Sequence, residues 1–129
     1  MLARASLALL IPLAACGGGS STPIDAAGQS DAGPPSVRAV ACPPGIVPTV
    51  TTTGTTTPMY SPMSAMVSVG GIVKFIMPAD HNVAPNSMRN TDSGLRVDFG
   101  ATACLEFDKA GSFGFLCTSH SFTGTITVQ

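Results

Sequence analysis

The chain has no tryptophan, one tyrosine and two histidines in 129 residues, and only 10% of its residues are charged. Lys and Arg number 6 and Asp and Glu number 7. There is thus no basic stripe to neutralise a phosphate backbone and no acidic field to steer a cationic partner. This argues against nucleic acid as a ligand and leaves any partner to meet a nearly neutral surface. Long apolar runs are also missing. The longest, Ala5 to Leu13, is too short to cross a bilayer as a permanent helix. No segment carries the apolar stripe of a long helix, and a chain of this length holds one small domain.

What is present begins with an address. Arg4 gives a thin positive start, the apolar run follows, and small residues come next, as in an export signal spanning residues 1–15. Leu13-Ala-Ala-Cys16 resembles the bacterial lipoprotein box, in which the chain is cut before the cysteine and that cysteine takes a lipid. The alternative is an ordinary secretory signal in which Cys16 is incidental. The resemblance implies a domain lipid-anchored in the bacterial cell envelope, facing the periplasm or the surface. After Cys16 the chain is rich in Gly, Ser, Ala and Pro, residues that bury too little apolar surface to offset their ordering entropy. Residues 16–41 are therefore expected to be the anchor and a flexible tether, about 25–30 Å between its ends as a random coil. Residues 42–129 are expected to form the domain.

Within the domain, short β-prone runs alternate with turn residues, the pattern of a β-sandwich. Ile46 to Thr53 is rich in Thr and Val. Ala65 to Val69 and Ile72 to Met77 flank Gly70-Gly71 and read as a hairpin. Leu95 to Phe99 alternates apolar and charged residues, Ala103 to Asp108 follows, and Thr125 to Val128 closes the chain. Asn86 to Gly94 reads as a loop.

The residues that carry chemistry are few. Ser112-Phe-Gly-Phe-Leu-Cys117 is strand-like, and alternation puts Phe113, Phe115 and Cys117 on one face. His120 follows three residues later, where a tight loop can fold its ring back toward the sulfur. The other histidine, His81, lies in Asp80-His-Asn-Val83. One thiolate and two imidazoles are the donor set of a trigonal copper site with a long, weak fourth contact. Of the four cysteines, Cys16 is assigned to lipid and Cys117 to metal, which leaves Cys42 and Cys104 as a disulfide pair. The competing arrangement uses Cys104 with Cys117, His81 and His120 as a structural zinc set. A Cys–His nucleophile is disfavoured because no orienting third group or oxyanion site is visible. A metal-free binding domain is a further alternative.

Gly70-Gly-Ile-Val-Lys-Phe75, His81-Asn82-Val83, and Ala110 to His120 followed by Gly124-Thr-Ile-Thr-Val128 resemble the cupredoxins, most closely the plastocyanin and amicyanin branch. The resemblance implies a Greek-key all-β sandwich with one copper ion at its end, acting in electron transfer and not as an enzyme. It implies His81, Cys117 and His120 as ligands, with Asn82 tying the His81 loop to the ligand loop near Thr118. A redox partner is expected to dock on the monomer near His120 and Phe122, with Phe122 and Pro85 forming an apolar rim; the alternative for Phe122 is ordinary packing. The departure is axial: the methionine expected three residues after the second histidine is replaced by Thr123. Thr123 or a water caps the metal there, no axial ligand binds, or a methionine from elsewhere substitutes, and the Asp80 carbonyl offers a further distant contact. Met59, Met63 and Met66 are soft thioethers that keep a copper carrier or resistance protein as the second reading.

Overall fold

The computed structural model describes residues 34–89 and 92–129. The expected export signal, Cys16 and the tether as far as residue 33 lie outside the described residues. The described chain forms nine strands: β1 Val37–Val40, β2 Thr49–Thr53, β3 Met59–Ser61, β4 Ser64–Val67, β5 Gly71–Ile76, β6 Ala84–Pro85, β7 Thr102–Phe107, β8 Gly111–Leu116 and β9 Thr123–Val128. They make a five-stranded sheet in the order β1-β7-β5-β2-β3 and a four-stranded sheet in the order β4-β9-β8-β6. None of the described residues forms a helix long and apolar enough to cross a membrane.

The two inner faces close on one core. Val50, Tyr60, Val73, Phe75, Leu105 and Phe107 come from the first sheet, and Phe113, Phe115, Ile126 and Val128 from the second. Each large apolar side chain buried in this way contributes roughly 1.5–3 kcal/mol. Edge-to-face rings link the sheets: Phe75 meets Phe115 at 5.5 Å between centroids and Tyr60 meets Phe115 at 4.7 Å. Gly124 in β9 is required by this packing, because a Cβ there would lie 2.6 Å from Cε2 of Phe115.

Three expectations are corrected. Residues 37–40, assigned to the tether, form β1 and pair antiparallel with β7. Val37 is fully buried, and Arg38 reaches Glu106 at 2.9 Å and Asp108 at 3.0 Å, so this segment has both a core side chain and cross-strand partners. The hairpin expected around Gly70-Gly71 does not form. β4 instead runs parallel to β9, while β5 lies between β7 and β2 in the other sheet. The glycines do make a tight turn, with the Gly71 N–H donating to the Ser68 carbonyl at 2.7 Å, but it carries the chain across the sandwich. β5 places Val73 and Phe75 in the core with both edges bonded, whereas Met66 of β4 is 61% exposed. Leu95 to Phe99 forms no strand and makes one bridge, Val83 with Val97. The alternation survives, with Leu95 and Val97 buried, but turns at Ser93-Gly94 and Phe99-Gly100 end the segment before a ladder can extend.

Cys42 and Cys104 form a disulfide across 62 residues of sequence, tying the segment after β1 to β7. This removes Cys104 from any metal set and leaves Cys117 as the free cysteine of the described residues.

Candidate metal centre

The centre forms where β8 ends. Cys117 continues the inward parity of Phe113 and Phe115 and is fully buried. The chain then turns sharply: the Ser121 N–H donates to the Cys117 carbonyl at 2.8 Å, and Ser121 takes the left-handed conformation at φ 58°. The turn carries His120 and holds its ring back over the sulfur, with Nδ1 3.8 Å from Sγ. His81 arrives from the loop between β5 and β6, where its N–H donates to the Pro78 carbonyl at 3.1 Å. Its Nδ1 lies 3.7 Å from the same sulfur.

The two sulfur–nitrogen edges are those expected of donors around one ion. With metal bonds of about 2.3 Å to sulfur and about 2.0 Å to nitrogen, an angle near 120° separates the donors by about 3.7 Å. All three donor atoms lie within 4.8 Å of one another. A soft thiolate with two imidazoles matches copper chemistry. The residues present therefore fit the ion that the resemblance implies.

Polar groups lie around the donors. The Asp80 carboxylate lies 3.5 Å from Nε2 of His81, the ring nitrogen that is not the one nearest the sulfur. Oδ1 of Asn82 accepts from the Thr118 N–H at 2.9 Å and from its hydroxyl at 3.1 Å. One amide thus couples the His81 loop to the loop bearing Cys117 and His120. His81 is 4% exposed, whereas His120 faces solvent. Two of the three donors are thus buried and the third reaches solvent. Beside that third donor runs a groove lined by Thr53, Thr55, Thr56, Pro58, Pro78 and Asp80, uncharged apart from the carboxylate.

Tyr60 had no sequence signal to place it here, and Phe122 was expected in a different role. Tyr60 is buried beneath the centre and donates its hydroxyl to the Asn82 carbonyl at 2.6 Å. Burial pushes that hydroxyl well above its ordinary pKa, with a smaller contribution from the nearby Cys117 charge. Phe122, expected at an outer rim with Pro85, is half-buried and turned inward. Its ring lies 4.6 Å from Tyr60, 5.2 Å from His81 and 6.2 Å from His120 between centroids. Thr123, expected on the axial side, is not brought into the group. It opens β9 opposite Leu116 and is exposed, on the outward parity of Thr125 and Thr127. Met59, Met63 and Met66 are exposed on strands of different sheets or the turn between them.

No protein-family model matches the chain, and no curated relative is found for it. Solved structures do match. An amicyanin variant in its reduced Cu(I) form at pH 4 superposes with a TM-score of 0.55 at 20% identity, covering 73% of this chain and 99% of that one. Amicyanin from Paracoccus versutus gives 0.56 at 17% identity, over 74% of this chain and 99% of that one. Pseudoazurin from Methylobacterium extorquens AM1 gives 0.54 at 24% identity, over 64% and 75%. At these identities the likeness establishes the fold, a cupredoxin-type sandwich.

Proposed function

We propose that this domain is an electron carrier that holds one copper ion between His81, Cys117 and His120. The observation that carries the reading is the convergence of one buried thiol sulfur and two imidazole Nδ1 atoms, at 3.7 and 3.8 Å, on a fold shared with amicyanin and pseudoazurin. The ion would supply a one-electron couple between Cu(II) and Cu(I). The chain supplies a donor set fixed in advance: β8 aims the thiol, and the Asn82 to Thr118 bonds clamp the two ligand loops. Such clamping keeps the donors in place while charge changes, which holds down the reorganisation that slows electron transfer. His120 presents the exposed ligand edge, so a redox partner would dock there, against a nearly uncharged rim. Cys117, His81 and Asp80 do line up as thiol, imidazole and carboxylate, but the thiol is fully buried and a second imidazole shares its sulfur, which suits an ion better than a substrate, so the reading is a carrier and not an enzyme. Cys16 as a lipid anchor would place a monomeric domain at the bacterial envelope, and the Cys42–Cys104 disulfide fits an oxidising compartment.

Copper loading tests this. A carrier gives an intense thiolate-to-copper visible band, reversible voltammetry and slow copper loss. A weak band with rapid donation of the ion to a chelator indicates copper delivery instead. Protein that binds copper no better than Cys117→Ser refutes both.

A further inference from the structure

The strand register places a different residue beside the sulfur than counting from His120 does. β8 and β9 pair Leu116 with Thr123, so one step further pairs Cys117 with Phe122. The Cys117 N–H donates to the Phe122 carbonyl at 3.0 Å, which extends the ladder to that pair. Residues directly opposite in an antiparallel pair point to the same face. Cys117 points inward, so Phe122 does too, and Thr123 points out with Leu116. The rings agree: Phe122 lies against His81, His120 and Tyr60 together.

We propose that Phe122, and not Thr123, occupies the axial side of the metal centre, so that copper there has three protein donors and a phenyl ring in place of a fourth. This rests on the copper reading above. A phenyl ring has no lone pair to give and occupies space that a water would need. Cu(II), the more highly charged state, gains more from an added donor than Cu(I) does. An apolar axial neighbour therefore favours Cu(I) and raises the reduction potential relative to a thioether in the same place. The turn from Cys117 to Phe122 is the cause. With Ser121 left-handed and bonded back to Cys117, only Thr118 to Ser121 separate the two paired residues.

The test uses the full chain loaded with copper, comparing Phe122→Met, Phe122→Leu and Thr123→Met by voltammetry. Phe122→Met introduces a donor and is expected to shift the Cu(II)/Cu(I) preference about tenfold toward Cu(II), a potential lower by about 59 mV for one electron. Phe122→Leu, which removes the ring without adding a donor, is expected to shift it less than a third as far. Thr123→Met is expected to leave potential and visible spectrum unchanged. A shift from Thr123→Met with none from Phe122→Met overturns the assignment, as do equal shifts from the Met and Leu variants. A metal-free measurement separates this from the underlying reading. Nuclear Overhauser contacts from the Phe122 ring to both imidazoles are expected in the apoprotein, and their absence overturns the proposal alone. Absence of any thiolate-to-copper band in the wild type overturns the copper reading beneath it.

Discussion

Replacing Tyr60 with phenylalanine removes one oxygen from the floor of the centre and leaves the packing almost untouched. The ring contacts to Phe115 and Phe122 at 4.7 and 4.6 Å do not need the hydroxyl, so their contribution stays. The bond to the Asn82 carbonyl at 2.6 Å is lost, and that carbonyl is left in a buried setting. An unmade buried hydrogen bond costs roughly 1–3 kcal/mol, and for a domain of this size each kcal/mol lowers Tm by about 4–8 °C. Tyr60→Phe should therefore melt roughly 5–20 °C below the wild type, measured on the metal-free protein so that copper affinity does not enter. The pH dependence provides an independent check. Because the folded hydroxyl titrates above its ordinary value, the folded state holds its proton where the unfolded chain has lost it. Its stabilisation is complete below the phenol's ordinary pKa of about 10, and is lost above it at up to about 1.4 kcal/mol per pH unit. Wild-type stability should fall more steeply above pH 10 than that of Tyr60→Phe. Equal melting temperatures with parallel alkaline profiles would refute the reasoning.

Breaking the disulfide with Cys42→Ser and Cys104→Ser together frees a 62-residue loop, which on chain-entropy grounds costs about 4 kcal/mol; denaturant unfolding should show this as a lower midpoint. Gly124→Ala drives a Cβ into the Phe115 ring and toward the Met63 carbonyl, so unfolding should show a loss of roughly 1–3 kcal/mol. Asn82→Ala removes both bonds to Thr118 and uncouples the two ligand loops. Its expected mark is a copper affinity lower by about 10–100-fold in a competition titration, with a smaller effect on melting.

Much of the site was legible because its parts are written locally. Parity along Ser112 to Cys117 aims the thiol, and the scarcity of histidine leaves His81 and His120 as its partners. The role of Asn82 came only with the family resemblance, and its bonds to Thr118 are present in the structure. Counting cysteines left the pair that is bonded. What was misread depends on relations between distant segments. Gly70-Gly71 signals a turn, but turn chemistry does not say whether the chain returns along the same sheet or crosses to the other. Val37 to Val40 sits next to a Gly/Pro-rich stretch and gains its reason for ordering only from β7. Tyr60 has no local partner, since its acceptor lies 22 residues away. Phe122 and Thr123 show the same limit at a single step. Counting forward from His120 selects Thr123, whereas carrying the inward parity of Val128, Ile126 and Gly124 backward selects Phe122.

In the proposed centre one copper ion shares the Cys117 sulfur and two imidazole nitrogens. Copper K-edge X-ray absorption fine structure on the loaded full chain reads those neighbours directly. One short sulfur scatterer and two nitrogens are expected, with the sulfur lost in Cys117→Ser. A shell of nitrogen and oxygen without sulfur, or one unchanged in that variant, would contradict it.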